Sequence, residues 1–266
     1  MVKGLYTAYT GMVNEQRRLD VLSNNLANSA TAGYKKEGAT NQSFDAQLAI
    51  RIKDQSSAGV ARGIGYINQG VKVGETYTNY DQGSFQLTDK ESDLAVSGDG
   101  FFAIAFTDKA GNTSVKYTRD GAFSVDSDGY FRTSDGDYLL NNNGAMTTSA
   151  DPANYLRVDP NQTYTVDQQG YVYQNDVVVG RVGVVDVADY NYLAKYGENL
   201  YDLVEGGQIV ASDADIEQGC LEASNVNVVD EIVNMIAISR AYEAGQKVIQ
   251  TEDSTLDKAV NSVGRV

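Results

Sequence analysis

Apolar residues recur every seven positions at both ends of this chain. Leu5, Met12, Leu19 and Leu26 form one series; Leu221, Val228, Met235, Tyr242, Ile249 and Leu256 form the other. Steps of seven return a side chain to nearly the same face of a helix, so each series predicts an amphipathic helix. Ala8 and Leu22 widen the first stripe, and both prolines, Pro152 and Pro160, lie between the two stretches. The first helix is predicted over residues 3–30, with Gly33 placed as its C-terminal stop and Lys35 and Lys36 just beyond. The second is predicted over 226–261. About 35 residues at about 1.5 Å each make a rod of roughly 50 Å, a length that signals a coiled coil or bundle. Asn227, with Asp230 three residues on, resembles a capping box, and Asp230 and Glu231 suit the positive helix end.

Between the helices the pattern changes to short runs of alternating or continuous apolar residues, broken by Gly and Asp. Leu94–Val96, Phe101–Phe106, Val115–Thr118, Ala122–Val125, Tyr130–Thr133 and Tyr138–Leu140 read as strands. Turns at Asp128-Gly129 and Asp135-Gly136 punctuate them. Val125-Asp126-Ser127-Asp128-Gly129-Tyr130 is echoed by Val166-Asp167-Gln168-Gln169-Gly170-Tyr171, each copy predicting one hairpin. Val177–Val187 reads as a strand pair around Gly180 and Gly183. Residues 34–80 read as an extended connecting region. In it Gln47–Ile52 is a short helix or strand, Ser56–Gly65 a small-residue flexible stretch, and Val71, Val73, Thr76 and Thr78 the start of β alternation. The expected fold is a mainly β body of antiparallel hairpins, with long N- and C-terminal α-helices that pair as a coiled coil. The expected organisation is a terminal helical assembly domain (1–33 and 222–266), a connector (34–80) and a β-rich body (81–221).

Charge sharpens this picture. The net charge is −15 over 266 residues and the isoelectric point about 4.3, which disfavours nucleic acid as a partner. Residues 1–37 carry +2, residues 221–266 carry −3, and the middle carries about −14. Opposite signs on the two helices favour their lying side by side. No run approaches a membrane span, and the N-terminal stretch lacks the continuous apolar core of a cleavable secretory signal.

Candidate chemistry is sparse. His is absent, which removes His-based triads and His metal sites, and the single cysteine, Cys220, excludes an intrachain disulfide. Asp126-Ser127-Asp128-Gly129 faintly resembles a calcium loop, but it lacks the remaining ligands and reads better as a turn. Paired carboxylates for glycoside hydrolysis are present only as in any acidic β protein. Neither a dinucleotide fingerprint nor a phosphate-binding loop occurs. The expectation is a protein that is not an enzyme and has no catalytic, metal or cofactor-binding residues. Assembly is the alternative use of the helices, against the plainer reading of each stripe as a face packed on its own domain. The run Ser23-Asn24-Asn25-Leu26-Ala27-Asn28-Ser29 argues for assembly, because Asn and Ser are poor helix formers unless their side chains find partners.

Three ordered blocks carry a resemblance. Leu22-Ser23-Asn24-Asn25-Leu26-Ala27-Asn28, followed by Thr31-Ala32-Gly33-Tyr34-Lys35, is similar to the N-terminal signature of bacterial flagellar rod and hook proteins. Asp93–Val96, Gly98–Phe102 and Tyr117–Phe123 match the middle of that family, and Glu222–Val229, Asn234–Ile236 and Arg240–Glu243 its closing helix. The resemblance implies a structural subunit of the basal-body rod, most like the distal rod protein, which polymerises through its terminal helices into the axial drive shaft. Implied partners are further copies of the chain in a helical polymer, other rod and hook subunits, and the flagellar type III export apparatus. The implied location is the flagellar basal body. The assembly positions so assigned are Leu5, Met12, Leu19, Leu22, Asn24, Asn25, Leu26, Asn28, Val228, Ile232, Met235, Tyr242, Ile249 and Leu256. Hook and proximal-rod subunits of the same family remain open. So does an acidic carbohydrate- or surface-binding β protein trimerised by its helices, an alternative motivated by 18 tyrosines. A carboxylate hydrolase is the third reading.

Overall fold

The computed structural model describes residues 2–51, 62–197 and 199–263. The expected flexible stretch therefore lies outside the described residues up to Ala61, and so does Ile52. The fold is mainly β, with α1 at Val2–Ala27, a short α2 at Asn142–Thr147 and α3 at Val228–Lys258. Two compact units divide the chain. One comprises 1–27, 37–79 and 226–266, and the other 28–36 and 80–225.

In the first unit α1 and α3 pack antiparallel. The expected connector is here two antiparallel strand pairs. Glu37–Ser43 runs against Val71–Thr78, and Gln47–Arg51 against Arg62–Ile67. Only Val71–Thr78 showed alternation, because its partner, EGATNQS, is largely exposed and is held by backbone pairing rather than by burial. Gly70 (φ 131°) lets the chain pass Thr10 of α1, whose Oγ1 occupies the space of a Cβ.

In the second unit the apolar run Phe101–Thr107 is the centre of a nine-stranded sheet. It pairs with Thr113–Thr118, Tyr138–Leu139 and Val184–Val187. Its alternate side chains feed two separate cores. Phe102 and Ile104 join Leu94, Val96, Phe123, Phe131 and Val172; Phe101, Ala103 and Ala105 join Tyr117, Leu140, Val185 and Tyr201. Burial on both faces is why this strand reads as a continuous apolar run rather than an alternating one.

The predicted echo is one turn used four times. In each of 108–112, 126–130, 133–137 and 167–171 the first N–H donates to the fifth carbonyl, and the fourth, a glycine, donates back to the first carbonyl. The glycines, Gly111, Gly129, Gly136 and Gly170, have φ of 83°, 86°, 97° and 82°, the left-handed geometry that glycine adopts without a Cβ penalty. Asp126 Oδ1 accepts the N–H groups of Asp128 and Tyr130, and Asp167 Oδ1 accepts that of Tyr171. These aspartates are therefore turn residues. Among the described residues no group of three or more His, Cys, Asp or Glu side chains is placed to hold a metal.

One strand pairing differs from expectation. Val177–Arg181 and Val184–Val187 do not pair with each other. The first pairs with Tyr171–Gln174; the second crosses to Phe101–Thr107 and Ile209–Ala211. The two-residue interval does not turn the chain back on itself. A Cβ on Gly183 would lie 2.6 Å from the Leu140 carbonyl oxygen, so the backbone there runs straight across a neighbouring strand.

Candidate assembly interface

α1 is shorter than predicted and ends at Ala27, so Asn28–Lys36 belong to the β unit. Gly33 is not the helix stop. Asn227 caps α3 as expected, its Oδ1 accepting the Val229 N–H at 3.1 Å.

The α1–α3 seam differs in character from the apolar stripes. Three of the contacts that span it show this. Asn25 Nδ2 lies 3.4 Å from Glu231 Oε2. Met12 packs on Gly245, where a Cβ would come within 2.7 Å of the Met12 Cγ. Gly4 faces the Glu252 carboxylate. Within α3 the buried side chains are Glu231 and Ile238, so the seam follows positions 231, 238, 245 and 252. These are also spaced by seven, but Glu, Ile, Gly and Glu leave no hydrophobic signal in the sequence. Asn25 is nearly fully buried and its amide is satisfied inside its own chain. Its Nδ2 donates to the Glu37 carbonyl at 2.8 Å, and its Oδ1 accepts the Glu37 N–H at 2.9 Å. Asn14, equally buried, donates to Asn41 Oδ1 at 3.1 Å. Neither Asn14 nor Glu231 was among the expected assembly positions; Glu231 was expected only as an acid at the helix N-terminus.

The series at 228, 235, 242, 249 and 256 lies to one side of this seam, because each member stands three residues before a seam position and three residues at about 100° each leave it roughly 60° away. Met235 and Ile249 are half-buried, whereas Val228, Ile232, Tyr242 and Leu256 are exposed. Leu5, Met12, Leu19, Leu22 and Leu26 are half-buried on α1 and Asn24 is exposed. Asn28 lies in the β unit, where its Oδ1 accepts from Thr31 Oγ1. On the side of α3 opposite Glu231 and Ile238 stand Val229, Val233 and Ile236, which are 67%, 59% and 49% exposed. At 100° per residue these three share one stripe (i, i+4, i+7). Tyr6 and Tyr9 of α1 are likewise exposed.

In the β unit the ends of the body meet. Lys35 and Glu222 are almost fully buried, with Lys35 Nζ 2.6 Å from Glu222 Oε1. Arg119 Nη1 reaches Glu222 Oε2 at 3.2 Å, and its guanidinium lies 5.1 Å from the centre of the Phe101 ring. Lys35 Nζ also donates to the Asp81 carbonyl, and the Gly83 N–H to Glu222 Oε1, both at 2.8 Å. Burial pushes the Lys35 ammonium below the ordinary lysine value, and the Glu222 carboxylate pulls it back up. Tyr34 is 1% exposed, and Lys195 Nζ stands 4.4 Å above its ring. Gly33 has φ 68°, and a Cβ there would collide with the backbone of Arg119 and Asp120.

A cleft of about 380 Å³ beside this cluster is lined by Thr31, Phe106, Asp120, Asp135, Tyr196 and Asn199, among others. Burial raises the Asp120 carboxyl above its usual range, against the opposing hydrogen bonds from the Ala122 N–H and Asn199. No helix among the described residues is long and apolar enough to cross a membrane.

Comparison with known proteins covers the same three blocks. Residues 5–35 match the family described as flagella basal body rod protein. Residues 95–185 match the flagellar hook protein FlgE/F/G D1 domain, and residues 217–262 the flagellar basal body rod FlgEFG protein C-terminal. The flagellar hook-basal body complex protein FlhO of Bacillus subtilis is 33% identical across the whole of both chains. The flagellar basal-body rod protein FlgG of the same organism is 33% identical over 98% of this chain and 99% of its own. The flagellar basal-body rod protein FlgF of Caulobacter vibrioides is 33% identical over all of both chains. Three differently named relatives thus stand at the same identity, over essentially full length. The chain belongs to the flagellar basal-body rod protein family.

Proposed function

We propose that this chain is a structural, non-catalytic subunit of the flagellar basal-body rod, polymerising through its terminal helices as a coiled-coil layer shared between subunits. The observation that carries this reading is the two-sidedness of α3. One side meets α1 through Glu231 and Gly245 and buries Ile238; the other presents Val229, Val233 and Ile236, which stay 67%, 59% and 49% exposed. A helix that serves only its own domain buries its apolar stripe and exposes its carboxylates. Here Glu231 is inside and the valines are outside. Burial of such a stripe by a further copy, at about 25 cal/mol per Å² of apolar surface, is the driving force assigned to assembly. The names of the relatives support the rod as the site of that assembly, with rod and hook subunits as neighbours and the flagellar export apparatus as the route out of the cell. Of the rod subtypes, the distal rod is the one favoured by the sequence.

The test is a photo-crosslinking residue at Ile236 in cells that assemble flagella. Crosslinks from isolated basal bodies to another copy, or to a second rod subunit, are expected. Crosslinks confined to α1 of the same chain would refute the proposal.

A further inference from the structure

The sequence block Thr31-Ala32-Gly33-Tyr34-Lys35 lies next to the first helix, which invites a role in contacts between subunits. Several of its groups are instead engaged within their own β unit. The Gly33 N–H donates to the Glu222 carbonyl at 2.8 Å, and the Asn225 N–H donates to the Tyr34 carbonyl at 3.4 Å. The Lys36 N–H donates to Asn225 Oδ1 at 2.7 Å, and Asn225 Nδ2 to the Asp81 carbonyl at 2.9 Å. Asn199 Nδ2 holds the Ala32 carbonyl at 2.8 Å. Lys35 and Glu222 are 187 positions apart in sequence and fully desolvated together. Arg119 completes the cluster, whose two cations share one carboxylate. Buried charges persist only when paired and hydrogen-bonded; both cations meet the Glu222 carboxylate, with Arg119 Nε left without a hydrogen-bond partner among the described residues, so loss of Glu222 would strand both cations and the pairing resists slippage.

We propose that residues 32–36, 81–84 and 222–225 form an intrachain latch, locked by Lys35, Glu222 and Arg119, that holds the roots of α1 and α3 together. α1 ends at Ala27 and the latch begins a few residues on; α3 starts at Val228, three residues beyond Asn225. With both roots fixed, the pairing of α1 with α3 is an intramolecular event at high effective concentration. Exchange of α1 with a neighbouring copy, the usual route to swapped dimers, then has no advantage. The α3 stripe stays available for neighbours. This inference rests on the helices being the assembly elements, but its test does not require a polymer.

The experiment is native-state amide exchange on the full-length soluble chain, with sedimentation velocity alongside. Three proteins are compared: wild type, Lys35→Met, which keeps the aliphatic length and removes the charge, and Glu222→Gln. In the wild type at low denaturant, the Gly33, Lys36, Gly83 and Asn225 amides are expected to open as one unit, separately from Ala103 and other amides of the central sheet. In Lys35→Met these amides are expected to exchange roughly tenfold faster or more, with central-sheet protection unchanged and a larger dimer fraction. Glu222→Gln, which strips the shared partner from both cations, is expected to exceed it. The proposal is overturned if the four amides open only with the central sheet, if they open independently of one another, or if the latch opens without any rise in dimer. Should neither variant fold, the wild-type opening pattern alone decides. Loss of Ile236 crosslinks in basal bodies with the latch pattern intact would strike the assembly reading and leave the latch standing.

Discussion

Replacing Val229, Val233 and Ile236 together by serine separates assembly from folding. These side chains are 67%, 59% and 49% exposed, so most of their burial still lies ahead of them. Full burial of a Val or Ile side chain contributes about 1.5–3 kcal/mol; the fraction remaining here gives about 1–1.5 kcal/mol each, or roughly 3–4 kcal/mol for the stripe. At 1.4 kcal/mol per tenfold, the concentration needed for polymer should rise roughly a hundredfold to a thousandfold. The isolated chain should be barely affected, because Ser and Val have similar helix propensity and the substituted atoms contact mostly solvent. Pelleting of purified chain over a concentration series measures the first quantity, and thermal denaturation followed by circular dichroism the second. Motility on soft agar reports the consequence in cells. A variant that polymerises like the wild type refutes the reasoning. So does one whose helical unfolding midpoint falls by many degrees, since the stripe would then be packed within the chain.

Other substitutions follow from particular contacts. Gly33→Ala puts a Cβ into the Arg119–Asp120 backbone at φ 68°; left-handed geometry alone costs about 1–2 kcal/mol, so a drop in midpoint of roughly 5 °C or more is expected, and an unchanged midpoint would contradict it. Gly245→Val should separate α3 from Met12 and lower helicity, and adding Met12→Ala should recover about 1 kcal/mol; strict additivity of the two would deny the contact. Asp120→Asn addresses pH. Because burial raises this carboxyl, the stability it permits is full below its unfolded value near pH 4 and is lost as pH rises through the folded value. The asparagine variant should therefore melt above the wild type near neutral pH, the gap closing toward pH 4. A wild type more stable than the variant at pH 7 would contradict the sign.

What the sequence showed and what it hid divide along physical lines. Local signals were readable. The Phe101–Phe106 run, the Asp-Gly turns and the Asn227 cap each depend on residues within a few positions, and each appears where its chemistry placed it. Partners distant in sequence were not readable. The strand Glu37–Ser43 has no apolar pattern because its backbone, not its side chains, holds it to Val71–Thr78. Val177–Arg181 and Val184–Val187 looked like a hairpin because both are valine-rich, yet each is paired elsewhere. The inner seam of α3 escaped notice for a related reason. Glu231, Gly245 and Glu252 carry no hydrophobic signal, and their fit to Asn25, Met12 and Gly4 exists only after the helices meet. Lys35 and Glu222 stood in two separate sequence blocks with nothing to link them until the fold buried them as a pair.

The arrangement also accounts for an oddity of composition. A run of asparagines in a helix is costly unless the amides are used. Asn25 bonds Glu37 and Glu231, and Asn28 serves the turn that leads into Gly33. The amides thus organise the end of α1 in the single chain, while the apolar residues Val229, Val233 and Ile236 of α3 stay exposed.

A side-chain-resolution density map of the isolated basal-body rod tests the central claim most directly. Val229, Val233 and Ile236 are expected to be covered by helices of adjacent subunits, while Lys35, Glu222 and Arg119 remain paired within each chain. A map in which that face of α3 borders solvent, with subunits joined only through their β bodies, would contradict it.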